Sequence, residues 1–135
     1  MVLELRSSRL RVYFGLLLAL SLAFTLYEEL HLRRVLYQHG GAWAVIAGSL
    51  PNFLAVPIVA FAAMLIRERI SDSEIVRTIG AVVVGLTLYE VAQIWMPGRV
   101  FDWKDITASV LGGVFSWVLI AVPRMLFKTG IAENG

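Results

Sequence analysis

The chain has 135 residues, 59% of them hydrophobic, and a formal net charge of +2. Its mean hydropathy of +0.76 exceeds what a water-soluble domain of ordinary composition carries. With no cysteine, disulfides, thiolate catalysis and Cys-ligated metals are excluded, and no basic tract interleaved with aromatics points to nucleic acid.

The apolar residues are gathered into runs separated by short charged clusters, the pattern of a chain that crosses a bilayer repeatedly. The length allows a single domain, 1–135. The first run, Val12 to Tyr27, follows Arg6, Arg9 and Arg11. It resembles the opening of a signal peptide, but Glu28 and Glu29 follow it in place of a small-x-small cleavage site. The expectation is therefore a retained first span, about 11–28. The second run covers 42–66 and contains Pro51 and Pro57. Each removes a backbone donor and crowds the preceding turn, so a kink or break is expected. If Ser49 caps a helix that starts at Pro51, then Ala42 to Gly48 is a re-entrant piece. The third span, about 75–96, is stopped by Pro97 and Gly98. The fourth, about 105–126, follows Asp102 and Asp105, whose carboxylates suit the orphan amides of a helix start. The tail from Thr129 to Gly135 reads as polar and frayed.

The fold expected is all-α, a four-helix transmembrane bundle. Four spans place both termini and the connection between spans two and three on one side. That side carries Arg6, Arg9, Arg11, Arg67, Arg69, Arg77, Arg124 and Lys128; the other carries Arg33, Arg34, Arg99 and Lys104. The excess of basic residues predicts cytoplasmic termini, with the connections at 28–41 and 97–104 facing outward.

Ionisable residues inside a membrane are costly and mark sites. Glu90 lies six residues before Pro97, inside the third span. Tyr89, Glu90 and Gln93 read as a shared polar sector facing the bundle. Asp105, Ser109, Gly112 and Ser116 form a small, partly polar face of the fourth helix. Laid against the third helix, that face brings Asp105 towards Glu90. Such a pair resists joint ionisation unless Arg99 or a metal intervenes. Asp102 is expected to cap the last helix and to pair with Arg99. Trp95 and Trp103 suit the headgroup layer. Asn52 is the second helix's polar contribution. Glu28, Glu29 and His31 are expected in solvent, although one could turn inward; His31 and His39 read as loop residues. HExxH, GxSxG and P-loop patterns are absent from the sequence.

The stretch from Tyr89 to Asp105 resembles the signature of VanZ-like membrane proteins, on Tyr89, Glu90, Gln93, Pro97, Gly98, Arg99, Asp102 and Asp105, with Gly112 in the last helix. The likeness covers about 25 residues and is loose elsewhere. Where the family usually has an asparagine the chain has Ala108, and the start of the second span lacks the family's lysine and histidine. The resemblance implies a small multi-span protein of the bacterial cytoplasmic membrane, in a family whose named member is linked to teicoplanin-type glycopeptide resistance.

Three functions compete. The first is binding of a lipid or a lipid-linked cell-envelope component by Tyr89, Glu90, Gln93, Arg99, Asp102, Asp105 and Asn52, without metal or cofactor. The second is an intramembrane enzyme with Glu90 or Asp105 as general base, or with Glu90, Asp102 and Asp105 around a divalent ion. The third is a structural subunit. Binding ranks first, because the absent histidine and asparagine are groups that catalysis would want. The expected partners are the bilayer, an anionic or lipid-linked envelope molecule, and a second copy of the chain.

Overall fold

A computed structural model describes residues 2–4, 8–67 and 69–132. Arg6, counted in the charge bias, lies outside the described residues, as does the end of the tail at 133–135. Helix α1 (Ser8–Tyr27) passes through a π-turn (Glu28–Leu32) into α2 (Arg33–His39). After the left-handed glycines Gly40 and Gly41 comes α3 (Gly41–Ile66), then α4 (Asp72–Ala92), a 3-10 turn (Gln93–Trp95) and α5 (Trp103–Ala132). Among the described residues, four helical stretches are long and apolar enough to cross a membrane: Arg9–His39, Gly41–Ile66, Asp72–Trp95 and Trp103–Pro123. Large apolar side chains such as Leu16, Leu20, Val84, Leu88, Val114 and Val118 stay exposed along them. In a bilayer these faces meet lipid.

Several boundaries differ from expectation. Glu28 and Glu29 do not end the first helix. The Glu29 carboxylate accepts from the Arg33 guanidinium at 2.6 Å, an i,i+4 pair that suits continued helix, and the segment 28–39 expected as loop is helical. Pro51 and Pro57 both lie inside α3, so neither a break nor a re-entrant Ala42–Gly48 piece is found. A membrane helix tolerates proline because neighbouring groups can satisfy the freed backbone. The last helix runs on through Pro123 to Ala132, so the part of the tail at 129–132 continues α5.

The fold is all-helical as expected, apart from a short two-stranded antiparallel ribbon that the sequence did not announce. Strand β1 (Val2–Glu4) pairs with β2 (Arg69–Ser71), with Leu3 opposite Ile70. Ser71 closes the ribbon and opens α4 with a capping box: its hydroxyl accepts from the Glu74 amide, and the Glu74 carboxylate accepts from the Ser71 amide at 2.7 Å.

The packing follows from small residues. The buried face of α5 is Ala108, Ser109, Gly112, Gly113, Ser116 and Ile120. At Gly112 an added Cβ would overlap the Phe53 carbonyl oxygen and lie 3.1 Å from its carbonyl carbon, so α3 and α5 cross almost backbone to backbone. At Gly113 it would lie 3.1 Å from Val83, which brings α4 against the same helix. On the other flank, α1 packs on α3 through the stacked Phe14 and Phe61 rings, and the Tyr13 hydroxyl donates to the Leu119 carbonyl at 2.8 Å. The apolar core of Phe14, Val56, Phe61, Met64, Ile75 and Ile79 gathers towards the ribbon end, where Ile70 is also fully buried. The opposite end holds the 40–41 and 96–102 connections and the buried acids.

Candidate functional site

Glu90 occupies the last turn of α4 and is 2% exposed. Its Oε1 accepts from Gln93 Nε2 at 2.7 Å, one turn later, where the helix tightens into its 3-10 end. Its Oε2 is buried with no hydrogen-bond partner. The Asp102 main-chain N–H and the Asp102 and Asp105 carboxylates bear on it electrostatically. The connection that brings them there turns at Pro97 and at Gly98, whose φ of 74° suits a residue without a Cβ. Its path is fixed by the Arg99 amide donating to the Met96 carbonyl at 3.2 Å.

Glu90, Gln93, Asp102 and Asp105 are thus brought together. The other expected members are placed differently. Tyr89 is 46% exposed and faces away, because successive helical residues are turned by about 100°. The Asp102 carboxylate caps α5 by accepting from the Lys104 amide at 2.9 Å, and its ionic partner is Lys104 at 3.7 Å rather than Arg99. Arg99 is exposed, and among the described residues no acid pairs with its guanidinium. Asn52 is half-buried on α3, one residue before the Phe53–Gly112 crossing. Ser109 and Ser116 spend their hydroxyls within α5, on the carbonyls of Asp105 and Gly112. Trp95 and Trp103 are exposed at their helix ends. Among the described residues no three His, Cys, Asp or Glu side chains are grouped to hold a metal ion, so Glu90, Asp102 and Asp105 do not form the divalent site that one reading invoked.

Glu28 corrects the expectation of a solvated acid. Its side chain is fully buried, and both carboxyl oxygens lack a hydrogen-bond partner. The π-turn accounts for this: the Arg33 amide bonds to the Glu28 carbonyl, five residues back, and the extra residue rotates Glu28 inward while Glu29 stays exposed. The Arg33 charge bears on it from the next turn. Glu28 is the residue that sequence reasoning ranked too low. Its signal was the unusual pair of acids at the end of an apolar run.

No protein-family model matches this chain, and searches of curated proteins and of solved structures returned no match.

Proposed function

We propose that this chain is a multi-pass protein of the bacterial cytoplasmic membrane whose end away from the ribbon faces outward and binds the polar part of a cell-envelope lipid. The observation that carries the reading is the free Oε2 of Glu90, buried beside Gln93, Asp102 and Asp105. A buried acid with an open acceptor is expensive unless a ligand or a proton satisfies it. A lipid headgroup carrying hydroxyl or amino donors supplies that partner. The exposed Arg99 is free to meet its phosphate, with Trp95 and Trp103 beside the chains. The Lys and Arg distribution supports the orientation. The resemblance to VanZ-like proteins supports the same class and a link to teicoplanin-type resistance. In the enzyme reading, Glu90 or Asp105 would serve as the base. Ala108, where the family usually carries asparagine, weighs towards binding.

The test is lipid binding and glycopeptide resistance measured on Glu90→Gln, Asp105→Asn and Arg99→Lys, each with its folded yield. Losses in well-folded Glu90→Gln and Asp105→Asn are expected. Arg99→Lys should also impair binding, because it keeps charge but loses the two-pronged contact with phosphate. Full activity in all three would leave the polar cluster a structural clamp.

A further inference from the structure

Two cavities run along the same flank of the α3–α5 pair. The first, of about 280 Å³, lies at the end away from the ribbon and is lined by Ser49, Phe53, Trp103, Lys104, Thr107 and Leu111. The second, of about 320 Å³, continues towards the ribbon between Phe53, Phe115 and Leu119 and the α1 residues Leu17 and Phe24. Phe53 lines both. From Trp103 to Leu119 the groove follows sixteen residues of α5, about 24 Å at the helical rise. One leaflet with its headgroup layer is about 20–22 Å thick.

Its walls are almost wholly apolar; its mouth is not. The Lys104 ammonium lies 3.7 Å from an Asp102 carboxylate oxygen, and its side chain is 40% exposed. The Ser49 hydroxyl is half-buried there and makes no hydrogen bond among the described residues. Arg99, with no acid partner, belongs to the connection that leads into this mouth. A long apolar slot with unspent cationic and hydroxyl groups at its headgroup end matches one kind of molecule.

We propose that the α3–α5 groove is a binding site for an anionic phospholipid, its acyl chain lying from Leu111 towards Leu119 and its phosphate at the mouth on Lys104 and Ser49, within reach of Arg99 from the adjoining connection. The proposal deepens the lipid-binding reading and rests on it for the class of ligand. It places the hydrocarbon part of the ligand on the α1 flank of α5, beside the Glu90 cluster rather than in it.

The test uses the full chain in phosphatidylcholine vesicles. Trp43, Trp95 and Trp117 are replaced by Phe, so that Trp103 is the single fluorophore at the mouth. A second reporter replaces Trp103 as well and adds Phe115→Trp at the deep cavity. Quenching by phosphatidylglycerol with brominated chains is compared with quenching by brominated phosphatidylcholine at equal mole fraction. A preference for the anionic lipid of about threefold is expected at both reporters. That is below the roughly fivefold that a free juxtamembrane cation provides, because Asp102 shares the charge of Lys104. Lys104→Gln should abolish the preference and Lys104→Arg should keep it. Lys104 is 40% exposed, so neither change threatens folding. Equal quenching by the two lipids in the parent, or a preference at Trp103 without one at position 115, would overturn the proposal. Glu90→Gln separates the two readings. It should lose headgroup binding yet keep the preference at Trp103. A failed groove leaves that headgroup assay unchanged.

Discussion

Gly112 and Leu119 lie two turns apart on α5 and answer to different surroundings. Gly112 has the Phe53 backbone where a side chain would be; Leu119 is a half-buried side chain beside Tyr13 and the second cavity. Gly112→Leu must force α3 and α5 apart and should cost about 3 kcal/mol or more, the upper range for overpacking a tight contact. Leu119→Ala should cost less, because lipid can refill part of the space it leaves. Thermal unfolding in detergent ranks the two, and equal losses would mean that the crossing yields easily. Glu90 and Gln93 form a second residue-scale unit. Gln93→Leu removes the one side chain that bonds the Glu90 carboxyl and should destabilise by about 1–3 kcal/mol. Glu90→Leu in the same protein should recover much of that loss, since replacing both partners by apolar groups is nearly neutral. Additive losses in the double-mutant cycle would show that the pair is not coupled.

At the scale of elements, the spans were legible because apolar run length and the Pro97–Gly98 stop are local signals. What escaped depended on partners distant in sequence or on a register the sequence does not display. Nothing in Val2–Glu4 announces a strand until it meets Arg69–Ser71. Nothing in the order Glu28-Glu29 says which acid turns inward until the π-turn sets the phase. The same distinction divides the candidate site. Glu90 and Gln93, one helical turn apart, and Asp102 before the last helix could be read from spacing. The partner of Asp102 could not: Lys104 and Arg99 flank it at similar distances along the chain, and the turn decides between them. The π-turn makes its own prediction. Glu28 is buried without a partner, so Glu28→Leu should raise the unfolding temperature in detergent, by about 1 kcal/mol of stability. A loss of stability would reveal that the carboxyl has a partner after all. Gly40 and Gly41, both at positive φ, are the natural insertion point between α2 and α3. A reporter placed there should signal from outside the cell, and one fused after Gly135 from the cytoplasm. A cytoplasmic signal from the insertion at 40–41 would reverse the orientation inferred from charge.

Across the whole molecule, the largest buried apolar side chains and the buried acids lie towards opposite ends. Phe14, Val56, Phe61, Met64, Ile70 and Ile75 fill the ribbon end, while Glu28, Glu90 and Gln93 are buried towards the other. Substitutions around Phe61 should therefore lower the unfolding temperature, and, if the proposed lipid site is right, those around Glu90 should first alter binding. The β1–β2 pairing adds a constraint in time. Leu3 pairs with Ile70, so the first strand leaves the ribosome 67 residues before its partner. At about 5–20 residues per second that is an interval of roughly 3–13 s. Through it, the amides of Val2–Glu4 wait for their partners on one side of the membrane, while α1, α2 and α3 insert. The ribbon can close only if the helical hairpin returns to that side. It therefore acts as a late latch on the first two crossings, and shortening the 67–71 connection would delay or prevent its closure without touching a membrane-spanning residue.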